Sequence, residues 1–215
     1  MSRDPPPLRL ERLKAVDRAL LGGLYDAYLE ELVSFGASYR RRDDGRWEYR
    51  PAGGDWGLDH LPYWLAEAPE HRVLLFRVGR RVVGFAMIGL RPACWMSPGT
   101  DACISEFYVR PEARRRGIGE AAARRIFQRW RGRWEVPEVA GNAPAIAFWR
   151  RIIARFTGGA FEEVEAHGGP AQRFTSRQPR RRAKPPPRQH PGPHGGARRP
   201  PATRRSRGAA RAPPR

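Results

Sequence analysis

The stretch ISEFYVRPEARRRGIGEAAARRIF, residues 104–127, decides the fold. It passes from residues of high β propensity through three adjacent arginines and a Gly-Ile-Gly triplet into a helical pattern. The arginines are Arg114, Arg115 and Arg116, and the triplet is Gly117, Ile118 and Gly119. Because adjacent guanidinium groups repel one another, this arrangement needs either open solvent or an anion that neutralises it.

The order of these residues favours an anion site. The first turn of a helix exposes unpaired backbone N–H groups and the positive end of the helix dipole. Glycines at 117 and 119 let this backbone approach a phosphate, and arginine side chains add charge-assisted hydrogen bonds. Residues 114–120, which end with Glu120, therefore predict a cradle for a pyrophosphate.

A dinucleotide fingerprint is an alternative interpretation of the same loop. Gly117, Gly119 and Ala122 fit its spacing, and Glu138 follows about twenty residues later. In that fold the strand leads almost directly into the first glycine. Here seven residues separate Val109 from Gly117, and the preceding hairpin is antiparallel, so we disfavour this interpretation.

Hydrophobic periodicity predicts a mixed α/β domain with a mostly antiparallel central sheet flanked by helices. The predicted order is β-α-α-β-β-β-α-β-α-β-β. Strands are predicted at 8–13, 71–79, 81–92, 102–109, 133–139, 160–166 and 171–176, with a further possible strand at 46–51. Helices are predicted at 14–35, 58–68, 118–130 and 142–156, with Asp59 and Asn142 as N-caps.

Charge and composition divide the chain at about residue 175. Residues 176–215 contain twelve arginines, one lysine and no acid, so they carry +13 of the formal charge of +19. This segment also holds ten of the 22 prolines and has no aromatic or branched aliphatic residue. Such a composition predicts disorder, so we expect one domain at 1–175 and a disordered Arg/Pro-rich tail at 176–215. The tail is either compositional drift or a segment that attracts nucleic acid non-specifically.

Other composition signals exclude several classes of protein. Cys94 and Cys103 are too few for a disulfide framework, and no clustered histidines accompany them as metal ligands. The first ten residues lack the apolar core of a signal peptide. The longest apolar run, residues 82–90, is far shorter than a membrane span. We therefore expect a soluble, cytoplasmic protein without a metal.

The succession of strand, Arg-Gly loop, amphipathic helix, strand and Asn-capped helix resembles the GNAT superfamily of acyl-CoA N-acyltransferases. Residues 114–119 match the (Q/R)-x-x-G-x-(G/A) loop of that family. Asn142, Ala145, Phe148 and Trp149 resemble its later Asn-containing helix motif. The resemblance covers residues 8–175 and is most specific at 104–156. It implies the GNAT fold and N-acetyl transfer from acetyl-CoA to a primary amine of a small molecule or protein.

The resemblance also implies how the donor is held. The loop residues, from Arg114 to Glu120, would bind the pyrophosphate of coenzyme A. The pantetheine arm would lie between splayed strands at 107–109, which include Phe107 and Val109, and 134–136. A backbone N–H at Tyr108 or Val109 would stabilise the oxyanion of the thioester carbonyl.

The resemblance leaves the catalytic residues open. Glu106 is the expected general base because it lies in the strand beside the thioester site, and Ser105 is the neighbouring alternative. Trp149 stands where the family often has a tyrosine that protonates the leaving thiolate. Tyr108 is the possible substitute, or the thiolate needs no protein acid. Phe148 and Trp149 serve packing, cofactor contact or both.

The acceptor pocket is expected between the first two helices and their loop, by analogy with the family. This region is rich in aromatic residues: Tyr25, Tyr28, Tyr39, Trp47, Trp56, Tyr63 and Trp64. Asp26, Glu30 and Glu31 are candidates for attracting a cationic amine. Two alternative functions are a non-catalytic acyl-CoA-binding module and a nucleic-acid-associated protein acting through its tail. The partners would be acetyl-CoA and an amine acceptor, with no membrane, and the assembly a monomer or homodimer.

Overall fold

A computed structural model describes residues 7–51, 54–66, 68–93 and 95–177. Within these ranges the chain forms ten strands and four α-helices. The strands are β1 (Leu8–Arg12), β2 (Tyr39–Arg41), β3 (Trp47–Tyr49), β4 (Gly57–Leu58), β5 (His71–Val78), β6 (Arg81–Leu90), β7 (Ala102–Val109), β8 (Gly132–Pro137), β9 (Phe161–Ala166) and β10 (Gly169–Ser176). The helices are α1 (Arg18–Ser34), α2 (Leu61–Leu65), α3 (Ile118–Arg129) and α4 (Ala143–Thr157).

The expectations for Cys94 and for nearly all of the tail lie outside the described residues. The predicted boundary at residue 175 therefore stays a prediction. No helix in the described ranges combines the length and apolar character needed to cross a bilayer.

Seven strands form one sheet in the order β1-β5-β6-β7-β8-β10-β9. Every neighbouring pair in it is antiparallel except β7 and β8, which run parallel because helix α3 returns the chain between them. The predicted α/β fold with a mostly antiparallel sheet is confirmed. Strands β2, β3 and β4 form a separate three-stranded sheet.

The parallel pair separates soon after it begins. Only Ala102 and Cys103 of β7 pair with Trp134 and Glu135 of β8. Beyond Cys103 the two strands part, while β8 remains paired with β10 on its other side. The central sheet therefore has an opening in its middle, bordered by the later residues of β7.

A β-bulge in β7 lies at the start of this opening. Met87 of β6 pairs with Glu106, but the next residue, Ile88, pairs with Ile104, so Ser105 is the extra residue. In a regular strand Ile104 and Glu106 would share one face. Because of the bulge, Ile104 faces α3 and α4, whereas Glu106 turns to the face covered by α1.

Two hydrophobic clusters pack on the two faces of the large sheet. One joins the sheet to α3 and α4 and includes Ile88, Phe127 and Trp149. The other joins the opposite face to α1, α2 and the small sheet and includes Leu21 and Phe85. The alternating apolar residues of β5 and β6 supply both faces, as expected for a sheet covered on both sides.

The structure differs from the sequence prediction in the segment before β5. The helix predicted at 58–68 is shorter, because Gly57–Leu58 pairs with β3 and the helix begins only at Leu61. Asp59 still accepts the Leu61 N–H at 2.8 Å, but His60 occupies the N-cap position. The possible strand at 46–51 is present as β3. Strands β2 and β4 were not predicted, since they have only three and two residues and no clear alternation of apolar and polar side chains.

Strands β6 and β7 approach each other closely at Gly84, next to the opening, and a substitution there tests this contact. A Cβ at this position would lie 2.2 Å from the Tyr108 carbonyl oxygen and 3.1 Å from the Val109 Cα. We expect Gly84→Ala to lower the free energy of unfolding by about 2 kcal/mol, because backbone atoms must move to make room. Urea unfolding monitored by tryptophan fluorescence measures this change.

The matched control is Gly22→Ala in helix α1, where a Cβ meets no atom within 4 Å. It should raise the free energy of unfolding by up to about 1 kcal/mol because alanine has the higher helix propensity. Equal effects of the two substitutions would contradict the steric account of Gly84.

Candidate functional site

A cleft of about 730 Å³ lies where β7 and β8 part. Its floor is formed by residues 104–107 of β7. The end of α1 with residues 35–39 lines one side, and residues 137–142 with the first turns of α4 line the other. The opening in the sheet thus lies at the base of this cleft.

Glu106 is the carboxyl group at the floor of this cleft. Its Oε2 accepts a hydrogen bond from the Tyr28 hydroxyl at 2.5 Å, and its Oε1 accepts one from the Ser105 hydroxyl at 3.3 Å. Burial among α1 and the sheet raises the pKa of Glu106 to about 7, although both hydrogen bonds favour the carboxylate and oppose the rise. The side chain is therefore a proton acceptor that titrates near neutral pH.

Tyr28 is held in place by other aromatic rings. Its ring centroid lies 5.7 Å from Phe85 and 5.8 Å from Tyr108, both on the same face of the sheet. Burial and the neighbouring Glu106 raise the pKa of Tyr28 well above its ordinary value, so the phenol stays protonated and donates. Sequence reasoning included Tyr28 only among the aromatic residues, since no local pattern relates it to a partner 78 residues away.

The backbone of β7 presents free N–H groups to the opening. The Arg110 N–H bonds the Val83 carbonyl of β6, so the N–H of Tyr108, two residues earlier, also points towards β6. The N–H groups of Phe107 and Val109 consequently point away from β6, towards the gap left by β8. Of the two amides expected to face a thioester carbonyl, the one at Val109 has the appropriate direction.

The arginine–glycine loop leads into α3 with an unusual backbone. Arg115 and Gly117 have φ angles of 61° and 74°, in the left-handed region. The first helical hydrogen bond runs from the Ala121 N–H to the Gly117 carbonyl at 2.9 Å. The N–H groups of residues 118–120 precede this bond and form the exposed amino end of the helix.

Gly119 is required for close packing as well as for an exposed backbone. A Cβ there would lie 3.1 Å from the Phe148 ring and 3.6 Å from the Val109 side chain. The amino end of α3 is therefore held directly against α4 and the end of β7. This contact brings the anion-attracting end of α3 next to the opening in the sheet.

Arg114 has contacts other than the anion contact that the sequence predicted. Its Nε donates to the Val109 carbonyl at 2.7 Å, and its Nη2 donates to Glu31 Oε2 at 2.6 Å. Its guanidinium also lies 5.6 Å from the centre of the Tyr108 ring. Arg114 thus joins the loop to α1, although its side chain is exposed, as are those of Arg115 and Arg116.

Two further residues of the predicted donor site also have structural contacts. Glu120 pairs with Arg155 of α4 at 3.2 Å. Asn142 is the N-cap of α4, as predicted, and its Oδ1 accepts the Ala145 N–H at 3.1 Å. Ile118 packs in the first turn of α3 and is partly buried.

Trp149 is both a core residue and part of the cleft lining. Its ring lies 4.9 Å from Phe107 and 5.0 Å from Phe148. The packing suggested by the sequence is therefore present at this position, and cofactor contact stays a prediction. The indole supplies no acidic proton at neutral pH.

Tyr108 is buried on the α1 face and does not belong to the cleft lining. It packs against Phe85 at 6.0 Å and against Tyr28. This placement favours packing over the acid role suggested for it. The side chain of Glu106, just after the bulge, reaches the cleft, whereas that of Tyr108 does not.

The acids of α1 that were expected to attract a cationic amine are engaged elsewhere. Asp26 accepts the Trp47 indole N–H at 3.0 Å, Glu30 lies 3.4 Å from Arg41, and Glu31 binds Arg114. None of the three lines the cleft. Of the seven aromatic residues expected there, Tyr28, Tyr39, Tyr63 and Trp64 line the cleft. The other three, Tyr25, Trp47 and Trp56, do not line it.

A buried ionic network holds one wall of the cleft. Glu135 of β8 is fully buried and accepts hydrogen bonds from Arg173 at 2.6 Å, His167 at 2.8 Å and Ser97 at 2.8 Å. Burial alone would raise the pKa of Glu135, but these hydrogen bonds outweigh it and hold the pKa below its ordinary value. The network ties the β9–β10 turn and the loop before β7 to the central sheet.

Comparison with known proteins identifies the architecture. The model of the Acetyltransferase (GNAT) family matches residues 24–153. None of the curated proteins with which the chain was compared matches it. Solved structures of acetyltransferases do match, at low sequence identity.

An acetyltransferase of the GNAT family from Staphylococcus aureus Mu50 has a TM-score of 0.55 at 10% identity, covering 80% of this chain and 100% of the other. An acetyltransferase from Thermus thermophilus has a TM-score of 0.51 at 20% identity, covering 77% and 94%. The ribosomal-protein-S18-alanine N-acetyltransferase from Escherichia coli has a TM-score of 0.50 at 10% identity, covering 83% and 99%. At these identities the similarity establishes a shared fold.

Glu135 provides a test of the wall of the cleft. We expect Glu135→Ala to lower the free energy of unfolding by about 3 kcal/mol, because Arg173 and His167 lose the acceptor that they share. Urea unfolding at pH 7 measures this. Glu163→Ala, which breaks the exposed pair with Arg150, is the control and should cost less than about 1 kcal/mol.

The contribution of Glu135 to the free energy of unfolding depends on pH. Because the folded-state pKa of Glu135 is depressed, its stabilisation is present above the ordinary value of 4.5 and is lost as the pH falls further. The difference in stability between wild type and Glu135→Ala should therefore shrink below about pH 4. A difference that stays constant down to about pH 3 would contradict the assignment.

Proposed function

Since this chain belongs to the GNAT family of acetyltransferases, we propose that it transfers the acetyl group of acetyl-CoA to a primary amine, with Glu106 as general base. The observation that carries the proposal is the Glu106 carboxyl, titrating near neutral pH at the floor of a cleft where β7 and β8 part. A base that titrates near the working pH suits proton transfer from an amine.

The residues around the amino end of α3 fit the pyrophosphate of the donor. The exposed N–H groups of residues 118–120 and the helix dipole attract a phosphate. Gly117 adopts a backbone conformation that side chains rarely allow, and a Cβ at Gly119 would meet Phe148. Arg115 and Arg116 are exposed beside this backbone and supply the positive charge, while Arg114 positions the loop through Glu31.

The free backbone edge of β7 fits the pantetheine arm. An amide group of the arm can pair with the Phe107 N–H, as an added strand would. When bound, acetyl-CoA supplies an activated acyl carbonyl with a thiol leaving group. The Val109 N–H then donates to the carbonyl oxygen, where negative charge develops during the transfer.

Glu106 accepts the proton that the amine must lose. An alkylammonium group has a pKa of ~10, and a carboxyl of ordinary pKa is a poor acceptor for its proton. Burial narrows this difference by raising the pKa of Glu106 to about 7. In the balanced reaction the amine forms the N–C bond, the C–S bond breaks, and coenzyme A leaves as the thiol after taking up one proton.

The leaving thiolate needs no second acid from this chain besides Glu106. Trp149 stands at the position of the expected tyrosine, and Tyr108 is packed on the other side of β7. We propose that the proton reaches the thiolate from solvent or from Glu106 through water.

Residues 1–175 would form the whole catalytic unit.

Donor binding gives the first test of the proposal. Acetyl-CoA should raise the melting temperature of the protein, and the rise should be lost in Arg115→Ala/Arg116→Ala because the phosphates lose their positive partners. Arg80→Ala/Arg81→Ala, an exposed arginine pair at the β5–β6 turn, removes the same charge and should retain the rise. A protein whose melting temperature no acyl-CoA raises would contradict the donor site.

The pH dependence of turnover tests the base. Because Glu106 must be deprotonated, kcat/KM should rise about tenfold per pH unit below 7 and level off above it. Glu106→Gln should lower kcat by about 10²–10⁴ and remove this inflection. Thiol release from acetyl-CoA with an excess of amine measures both quantities.

Tyr28 and Tyr108 provide the matched pair for this experiment. Tyr28→Phe removes a hydrogen bond that favours the carboxylate, so the pKa of Glu106 rises and the inflection moves to higher pH. Tyr108→Phe should leave the inflection in place, since Tyr108 has no hydrogen bond to Glu106. A Tyr108→Phe variant that loses activity at pH 7, where the phenol is protonated, and also loses the high-pH decline of the wild-type profile would instead show that Tyr108 is the acid.

A further inference from the structure

The part of the cleft that faces away from α4 is lined with aromatic rings from separate segments. Tyr39 and Tyr49 come from the small sheet, with ring centroids 5.0 Å apart. Tyr63 comes from α2 and Trp95 from the loop before β7, and the Trp95 indole N–H donates to the Tyr63 hydroxyl at 3.2 Å. We call these four residues the aromatic wall.

The aromatic wall is fixed by packing behind it. The His71 ring lies 4.8 Å from Tyr63 and 5.3 Å from Trp64, and His71 Nε2 is 2.7 Å from the Ala66 carbonyl oxygen. Trp64 in turn lies 6.0 Å from Trp95. These rings are therefore held in place before a ligand binds, which reduces the entropy that binding would cost.

The charge in this part of the cleft is limited to few groups. Among the described lining residues the carboxyl groups are those of Glu106 and Glu138. Glu138 lies on the opposite side, beyond β8, where it is buried and accepts a hydrogen bond from Gln172 at 3.3 Å. Arg50 is the arginine of the described lining, and its charge disfavours a second cation.

The hydroxyl groups of the wall add polarity without charge. Burial raises the pKa of Tyr39 far above its ordinary value and also raises that of Tyr49, with the Glu106 charge acting in the same direction. Both phenols are therefore neutral. The acceptor side of the cleft thus offers flat apolar surfaces, neutral hydroxyl groups and one carboxyl at its floor.

We infer that the acceptor is a monoamine with an aromatic body, whose amino group meets Glu106 while its ring packs on the aromatic wall. This inference rests on the proposed function and specifies the substrate class of the same site. Rings pair favourably with other rings beyond the area that they bury. The aromatic side of the cleft offers one carboxyl, that of Glu106, which matches a single ammonium group.

A polycationic acceptor does not fit these groups. Each further ammonium of a polyamine or aminoglycoside must leave water, and it needs a carboxylate to offset the loss of hydration. The acids of α1 that would provide this are paired with Arg41, Arg114 and the Trp47 indole. Arg50 would face such a ligand with a like charge.

Steady-state thiol release with three amines tests the substrate class. The full-length protein is given acetyl-CoA and 2-phenylethylamine, n-propylamine or spermidine at about pH 8, where Glu106 is deprotonated. We expect kcat/KM for 2-phenylethylamine to exceed that for each of the other two by about tenfold or more, as the ring contacts predict.

Two variants assign the preference to the aromatic wall. Trp95→Leu should raise KM for 2-phenylethylamine about tenfold and leave KM for n-propylamine within about twofold. Trp56→Leu removes an indole that lies outside the cleft, under Arg40, and should leave both KM values unchanged. A Trp95→Leu variant that affects both amines equally would overturn the assignment.

The outcomes separate the two levels of the proposal. Turnover of spermidine or n-propylamine at least as efficient as that of 2-phenylethylamine would overturn the aromatic monoamine and leave N-acetyl transfer standing. If acetyl-CoA raises the melting temperature but no amine releases thiol, the proposed transfer itself fails and the inference with it.

Discussion

The bulge at Ser105 is the constraint on which the site depends. One extra residue in β7 reverses the side-chain alternation, so that Glu106 leaves the face of Ile104 and meets Tyr28 of α1. The same part of β7 is where pairing with β8 ends. A carboxyl group and its hydrogen-bond donor therefore meet because of one irregularity in β7, and they do so where the free strand edge begins.

The surroundings of Glu106 then set its chemistry. Packing of α1 against the sheet removes water from one side of the carboxyl, while the cleft leaves the other side accessible. Desolvation raises the pKa of Glu106, and the hydroxyl groups of Tyr28 and Ser105 moderate the rise. Neither a fully buried nor a fully exposed acid at this position would titrate near neutral pH while remaining within reach of a ligand.

Much of the fold was predictable because its signals are local. The period of two in β5 and β6, the Gly79 turn and the apolar stripes of α3 and α4 each lie within a few neighbouring residues. The bounds of β7 and the Asn142 cap were predicted for the same reason. The Arg-Gly loop was also correctly placed at the amino end of α3.

The features that the sequence did not predict involve residues far apart in the chain. Tyr28 meets Glu106 across 78 residues, and Glu31 meets Arg114 across 83. Three adjacent arginines look equivalent in sequence, and only the position of α1 distinguishes Arg114 from the other two. Of the small sheet only β3 was predicted, as the possible strand at 46–51. Strands β2 and β4 and the bulge escaped prediction because each involves too few residues to change a periodic pattern.

The bond between Arg114 and Glu31 has a thermodynamic consequence. Glu31 lies three residues after Tyr28 on α1, so one helical turn connects the loop at the amino end of α3 with the donor of the Glu106 hydrogen bond. A ligand that drew the Arg114 guanidinium to itself would have to displace Glu31. Displacing Glu31 costs the free energy of the ion pair. A substitution that frees Arg114 from Glu31 removes this cost, so it would strengthen the binding of that ligand by the same amount. The loop at the amino end of α3 and the Glu106 carboxyl are in this sense coupled through the ion pair between Arg114 and Glu31.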